Sequence, residues 1–373
     1  MVYITRLQLT HFRNYEKARL RDLPAGFVIL TGPNGAGKTN VLEAISLLSP
    51  GRGLRGAKVT EVQQDKSDHP WAVAACVATD TQEVRLGTGR DSSRDKRIVR
   101  INGETVSAKA RLGDHMACVW LTPQMDGLFT GSASERRRFF DRLVFALDPG
   151  HAGRISRYDN AMRQRAKLLA EGHDDDAWLS GLEAQMAETG AAIAAARHDV
   201  LQRLQTVIDS TDQQTRAHFP RAAIHLSGFL ETRINTMPAL ELEEAFHDQL
   251  AQARATDAER GGASEGTHRS DWHVIYAERD MPAEQCSTGE QKALLINIVL
   301  AHARLLAAER GAPPILLLDE VAAHLDENRR AALFEVLDAM QGQVWLTGTD
   351  PDLFKDAPAS ARHMFVQDNL IRQ

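Results

Sequence analysis

Gly32-Pro33-Asn34-Gly35-Ala36-Gly37-Lys38-Thr39 decides how the chain is read. It fits the phosphate-binding pattern G-x-x-x-x-G-K-[ST] without a mismatch. The apolar run Phe27-Val28-Ile29-Leu30 before it predicts a strand, and Asn40 to Leu48 after it has helical spacing. Strand, glycine turn and helix together are the context the motif requires. Glycines let the backbone fold back with its N–H groups inward, so that they and the first helical turn surround phosphate oxygens. Lys38 is placed to reach β and γ phosphates, and the Thr39 hydroxyl to hold Mg²⁺. Asn34, Gly35, Gly37 and Asn40 complete the candidate loop.

A second group of residues supplies what this loop lacks. Ile315-Leu316-Leu317-Leu318-Asp319-Glu320 is an apolar run followed by adjacent carboxylates. The run predicts a strand buried on both faces, with Asp319 at its end supporting the Mg²⁺ shell begun at Thr39. Glu320 is then placed to orient or deprotonate the water that attacks a γ-phosphate. Val119-Trp120-Leu121-Thr122-Pro123-Gln124 predicts another buried strand, and Gln124 in the loop at its end can bind Mg²⁺ and the attacking water. Cys286-Ser287-Thr288-Gly289-Glu290-Gln291-Lys292 opens a further helix. A hydroxyl and a glycine backbone at a helix N-terminus make a second phosphate site by the same reasoning as the first. Two such sites exceed the needs of one γ-phosphate unless they come from different subunits. The expected arrangement is head to tail: Ser287 and Gly289 of one molecule cover ATP held by Lys38 of another, which links dimerisation to ATP binding. Ala323-His324-Leu325-Asp326 is expected at the same interface. Val344 to Asp350 predicts a last strand ending beside the γ-phosphate, where Thr347 or Thr349 takes the place a histidine often has. A hydroxyl lacks imidazole's charge and reach, so slow turnover is expected.

Hydrophobic residues make up 43% and charged residues 25% of the 373, an ordinary globular balance on a chain long enough for two lobes. No stretch approaches the ~20 apolar residues of a membrane span, and the chain begins on the strand-like Val2 to Leu9 pattern, so a cytoplasmic protein without a membrane partner is expected. Cys76, Cys118 and Cys286 have neither metal-ligand nor disulfide spacing. A net charge of −6 excludes a uniformly basic coat but not a local basic groove.

Between Trp71 and Ile101 three strands are expected, with Asn102-Gly103 as a hairpin turn. Arg90, Arg94, Lys96, Arg97 and Arg100 gather positive charge there and form the candidate DNA-backbone patch; ordinary charged hairpin tips are the alternative. From about 155 to 250 the pattern is helical. Trp178, Leu182, Met186, Ile193, Val200, Leu204 and Val207 recur in one amphipathic stripe, which Gly190 is placed to interrupt, and Glu241 to Ala255 predicts a returning helix. The expected division is an N-terminal part of one domain over 1–133, a helical lobe over 134–262 and the rest of the first domain over 263–373. Four features have two readings each. Tyr15 caps a nucleotide base or packs internally; Gly51-Arg52-Gly53-Leu54-Arg55-Gly56 touches phosphates or is a solvated loop; Arg136-Arg137-Arg138-Phe139-Phe140-Asp141 marks a lobe junction or a partner surface; His268 and Arg269 face a phosphate or do not.

At these residues the sequence resembles the ATP-binding-cassette ATPases and, more closely, the RecF family, bacterial DNA-repair members of the SMC-like group. The likeness runs through Leu9 to Tyr15, Gly35 to Ile45, Gly51-Arg52, Arg136 to Asp141, Gly266 to Arg269 and Leu318-Asp319-Glu320. It implies an α/β, P-loop ATPase head with mixed sheets, interrupted by a mainly helical second lobe. It also implies ATP and Mg²⁺ as cofactors, an ATP-dependent homodimer and weak ATPase activity. Further implications are binding to double-stranded DNA at gap junctions, a nucleoid-associated location, and work with RecR and RecO to place RecA in recombinational repair and the SOS response. Carried over, Lys38 and Thr39 belong to the Walker A site, Asp319 and Glu320 to Walker B, Ser287 to Gln291 to the signature, Asp326 to the D-loop and Gln124 to the Q-loop. Gly53 departs from a usual serine, Thr267 from a usual proline and Ser270 from an acidic residue. A transporter's nucleotide-binding subunit shares the ATP chemistry but normally has its loop and signature closer together. An ATP-dependent scaffold with a minor DNA role and a metabolic kinase are the remaining classes.

Overall fold

Alternating polar and apolar residues build the first sheet of this protein, and unbroken apolar runs build the second. The computed structural model describes residues 1–64, 67–80, 82–91, 95–106, 109–172 and 175–372. They fall into two units: Met1–Asp126 with Thr211–Phe219 and Leu295–Gln373, and Gly127–Ser210 with Pro220–Leu294.

In the first unit β1 (Tyr3–Phe12) and β2 (Tyr15–Leu20) pair, and β3 (Phe27–Thr31) leads through the glycine loop into α1 (Lys38–Ser46). The strands β4 (Ala72–Ala78), β5 (Glu83–Asp91), β6 (Lys96–Ile101) and β7 (Glu104–Val106) extend the first sheet, an antiparallel array in the order β2-β1-β4-β5-β6-β7. Strand alternation turns Leu7, Leu9, Val73, Val84, Leu86 and Val99 into the core and leaves Arg6, Lys17, Arg19, Arg85, Lys96 and Arg100 exposed on the opposite face. Asn102 and Gly103 both take positive φ, 52° and 93°, as the hairpin turn between β6 and β7 demands.

The second sheet holds β8 (Cys118–Leu121), β12 (Ile315–Leu318), β13 (Val344–Gly348), β14 (Arg362–Gln367) and β15 (Leu370–Arg372) around β3, in the order β15-β14-β3-β13-β12-β8. All its pairings are parallel except that of β14 with β15. Every residue of β3, β8, β12 and β13 is buried, which is why these strands read as continuous apolar runs. The core between the two sheets takes Leu9, Val41, Ile45, Val73, Trp345 and Val366. Short α5 (Gln213–His218) and α9 (Glu327–Ala339) also belong to this unit. So does most of α8 (Thr288–Arg310), which by length and composition could cross a membrane; 83% of its most apolar window is buried, as in a core helix.

Gln343, fully buried just before β13, ties the two sheets together. Its amide nitrogen donates to the carbonyls of Ile4 (2.9 Å) and Pro24 (2.7 Å). Its amide oxygen accepts from the Ile4 N–H (2.9 Å) and the Trp345 indole (3.2 Å).

In the second unit α2 (Ala133–Leu147), α3 (His151–Ala170) and α4 (Asp176–Asp209) are followed by β9 (Ala222–Ser227), α6 (Ala239–Gln252), α7 (Arg254–Arg260), β10 (Asp271–Tyr276) and β11 (Met281–Pro282). The helix α4 runs unbroken through Gly190, where a Cβ would lie only 3.1 Å from Leu230 and 3.2 Å from Phe246. The glycine makes room for neighbours instead of ending the helix. Leu182, Met186, Ile193, Val200 and Leu204 are buried as expected, but both ends of the stripe are displaced by one residue: Leu179 turns inward while Trp178 is 53% exposed, and Ile208 is fully buried while Val207 is half-buried. The returning helix is two pieces, α6 and α7, meeting at Ala253. Residues 263–294, read from sequence with the first domain, group here with the helices. The reason is local: β10 pairs along β9, and Trp272 stacks on Phe139 and Phe140 of α2 while its indole donates to the Arg136 carbonyl at 2.7 Å.

Replacing Gln343 with leucine keeps the volume and strands four buried polar groups, so urea unfolding of Gln343→Leu is expected to reveal a loss of about 2–4 kcal/mol. A loss under about 1 kcal/mol would mean the amide is not the tie.

Candidate functional site

Parallel register brings the ends of β3, β13 and β12 to one edge, since Thr31 lies beside Gly348 and Leu346 beside Leu318. There the Thr39 hydroxyl shares its proton between the two carboxylate oxygens of Asp319, at 2.8 and 3.0 Å. The Thr347 hydroxyl donates to the same carboxylate at 2.7 Å and accepts the Glu320 N–H at 2.9 Å. Thr347 is fully buried and its one proton is committed, so of the two threonines weighed for the last strand only exposed Thr349 remains available to a ligand. Glu320 sits in the left-handed region at φ 53°, a conformation a non-glycine residue holds only where its surroundings over-determine it.

The loop itself could not be built from other residues. A Cβ on Gly32 would fall 2.0 Å from the Val366 carbonyl oxygen, and one on Gly37 2.4 Å from the Asn14 amide, with φ at 147° and 108°. Asn34 and Gly35 are exposed at the loop's tip, while Lys38 is buried and folds back to donate to the Gly32 (2.7 Å) and Pro33 (2.9 Å) carbonyls. Burial pushes its ammonium pKa down, and Glu320 and Asp319 pull it back up.

Behind the loop lies a layer the sequence did not disclose. Tyr15 is fully buried and its hydroxyl donates to the Gly37 carbonyl (3.1 Å), so it packs internally and does not cap a base. The Asn14 amide donates to the Ala36 carbonyl (3.1 Å) and its oxygen accepts from Asn40 (2.7 Å). Glu43, buried on α1, receives Arg13 through two bonds (2.9 and 2.6 Å) and Arg55 through one (2.6 Å); Arg55 also donates to Asn40 (2.7 Å). The one sequence signal was an acid on the inward side of an apolar helix with arginines in both flanking loops.

The signature residues form the start of α8. Ser287 is exposed, and its hydroxyl and N–H both donate to the Glu290 carboxylate, at 2.8 and 2.9 Å; Glu290 is paired in turn with Arg279. Gly289 is half-buried. Gln291 is buried, and its amide donates to the Cys286 carbonyl (2.9 Å). Asp326 caps α9 by accepting the Arg329 N–H at 2.9 Å. Gln124 is exposed in a short 3-10 turn just past β8, the neighbour of β12.

The RecF/RecN/SMC N terminal domain family matches residues 3–372. The DNA replication and repair protein RecF of Allorhizobium ampelinum is 49% identical over 368 residues, which is 98% of this chain and 97% of that protein. The chain belongs to the RecF family. Its fold matches the recombination mediator protein RecF-ATPrS of the RecFOR pathway with a TM-score of 0.86, at 22% identity, over 100% of this chain and 98% of that one. It also matches a Smc head domain from Pyrococcus furiosus, solved with an extended coiled coil and the C-terminal domain of ScpA (TM-score 0.53, 16% identity, 100% and 96% covered). The mixed α/β architecture is thus that of the ABC-type ATPase heads of RecF and Smc.

Other candidates in this RecF-family chain have structural duties. Arg97 is buried: its guanidinium donates to Thr88 (2.9 Å) and to the carbonyls of Gly51 (2.6 Å) and Leu47, and burial lowers its pKa to about 10. The basic cluster is therefore not one patch. Arg90 lies opposite Arg97 and is tied to Asp95, whereas Lys96 and Arg100 point to the other face; Arg94 lies outside the described residues. Arg136 pairs with Asp271 through two bonds (2.9 and 2.6 Å), Arg137 donates to the Ser270 carbonyl (2.7 Å), and Asp141 receives buried Arg197. His268 bridges Tyr158 (3.0 Å) and the Ala263 carbonyl (3.0 Å), so it carries its proton on Nε2 and faces no phosphate. Arg269 donates weakly to that carbonyl, at 3.4 Å.

Arg97→Gln should lower stability by about 1–3 kcal/mol in thermal or urea unfolding, and Arg100→Gln by less than about 0.5 kcal/mol. Equal effects would return Arg97 to the surface.

Proposed function

We propose that this protein is an ATP-dependent DNA replication and repair protein whose slow ATPase cycle times its hold on DNA. The observation that carries this reading is the convergence of Thr39 and Thr347 on Asp319 beside Lys38 and Glu320. The glycine loop at the start of α1 offers N–H groups and an ammonium to phosphates, and Lys38 exchanges its own-loop carbonyls for phosphate oxygens.

The donor set also fits Mg²⁺. Among the described residues no group of three His, Cys, Asp or Glu forms a ready-made cage. Mg²⁺ is typically held by one or two protein oxygens with waters and substrate phosphates, and Thr39 and Asp319 supply such a pair, with Gln124 from the neighbouring strand's loop as a third contact. When bound, the ion would neutralise developing phosphate charge. Glu320 orients the attacking water and takes its proton. With Thr349 in place of an imidazole, the last strand offers no cation at the γ-phosphate, in keeping with weak activity.

Ser287 and Gly289, exposed or half-exposed at the start of α8, serve the γ-phosphate of a second molecule, and Asp326 lies with them at the ATP-dependent homodimer interface. The closed dimer retains double-stranded DNA near gap junctions, and hydrolysis releases it. The curated relatives' naming as DNA replication and repair proteins and the RecFOR naming of the solved RecF support a place with RecR and RecO in loading RecA, in the cytoplasm at the nucleoid, during recombination and the SOS response.

Lys38→Ala should weaken ATP affinity about 10- to 100-fold, the equivalent of losing a charged hydrogen bond. Glu320→Gln should bind ATP normally, turn over poorly and, with Mg-ATP, double in mass by light scattering. An alanine variant with unchanged affinity, or a Glu320→Gln protein that stays monomeric with ATP bound, would refute the site and the dimer respectively.

A further inference from the structure

The bonds behind the glycine loop do not end within it; they run on into the β14–β15 hairpin. We propose that Asn369, at the tip of that hairpin, is a positioning residue for the phosphates of ATP and acts through Asn14. The proposal rests on the ATP-binding reading above and adds a residue to the same site.

Two separate contacts bring the hairpin to the loop. Parallel pairing of β14 with β3 ends at Phe365 beside Thr31, so the next residues, Val366 and Gly32, leave the sheet side by side. A Cβ on Gly32 would lie 2.0 Å from the Val366 carbonyl oxygen, so closely do the two backbones run. Beyond Val366, Gln367 pairs with Leu370 and leaves Asp368 and Asn369 as a two-residue turn, with φ of 50° and 61°. Both values lie in the left-handed region that such a turn requires and that Asp and Asn tolerate. The turn carries Asn369 to Asn14, whose amide nitrogen donates to Asn369 Oδ1 at 2.5 Å.

That bond closes a chain of hydrogen bonds with a fixed direction. The chain starts at the Arg55 guanidinium, which can only donate, and which gives a proton to Asn40 Oδ1 (2.7 Å). Asn40 in turn donates to Asn14 Oδ1 (2.7 Å). Asn14 then has two N–H protons to place, one on the Ala36 carbonyl (3.1 Å) and one on Asn369. The Ala36 carbonyl shares a planar trans peptide with the Gly37 N–H, and the two point in opposite directions. Holding the carbonyl on Asn14 therefore turns the Gly37 N–H to the side where a loop of this pattern cradles phosphate. Asn369 keeps the Asn14 amide in that orientation. Without its acceptor one Asn14 proton has only water to bond, and the amide is free to tilt away from Ala36.

The test is binding of a fluorescent ATP analogue to the full-length protein with Mg²⁺, followed by steady-state hydrolysis. Asn369→Gly removes the acceptor and keeps the left-handed turn. It should weaken ATP and ADP alike, about three- to tenfold, as expected for the loss of one hydrogen bond. The KM for ATP should rise by the same factor while kcat stays within about twofold, since the loop grips ground state and transition state equally. Asn369→Asp keeps an acceptor in place and should bind within about twofold of wild type at ~0.15 M salt, where an exposed charge is screened. Asn14→Ala should weaken binding at least as much as Asn369→Gly, and combining the two should add nothing further. Thermal unfolding without nucleotide should leave Asn369→Gly within about 2 °C of wild type. Wild-type affinity in Asn369→Gly, an undiminished effect in the Asn14→Ala background, an aspartate variant as weak as the glycine one, or a larger fall in melting temperature overturns the role of Asn369 alone. A wild-type protein that binds no ATP overturns the ATP-binding reading with it.

Discussion

Two threonine hydroxyls on one aspartate hold the working edge of this protein together. Asp319 is nearly buried at the end of β12, and its charge is compensated by protons from Thr39, at the start of α1, and Thr347, at the end of β13. Each donor arrives from a different strand connection, so the carboxylate is satisfied only when three parallel strands are in register. A buried charge with too few partners is expensive. The requirement therefore reads both ways: the sheet positions the site, and the site's electrostatics fix the sheet's register.

The glycine loop depends on a second constraint, support from behind. Its carbonyls at Ala36 and Gly37 are occupied by Asn14 and Tyr15, and its helix is anchored through Glu43 to Arg13 and Arg55. That leaves the loop's N–H groups as the side turned to a ligand. Two guanidiniums on one buried carboxylate leave an excess positive charge close to the loop, which favours an anion there.

Much of this was legible in the sequence, for reasons that differ by element. The strands β3, β8, β12 and β13 were readable because burial on both faces forces an unbroken apolar run, and the residues after them carried the chemistry. The glycine pattern was readable because close approach to Asn14 and Val366 admits nothing larger. Side-chain direction was not. Arg97 and Arg100 look alike in a basic run, but a two-residue periodicity sends one under the sheet and the other out, and an odd offset of three separates their faces. Trp178 and Leu179 pose the same difficulty on a helix, where one position is a turn of ~100°. The Glu43 hub depends on contacts between residues 13, 43 and 55, a long-range fact that spacing does not encode.

The arrangement at Ser287 has a thermodynamic consequence. Its hydroxyl has a single proton, already given to Glu290 at 2.8 Å, and Glu290 is steadied by Arg279. An incoming acceptor thus meets competition within the chain: it gains only the difference between its own bond and the one it displaces. Binding at this helix start is discounted by the fraction of time the hydroxyl is free, as for any site whose competent state is a minor one. A weak or fleeting anion is filtered out by that competition, while a ligand already immobilised on another surface, presented at high effective concentration, is not.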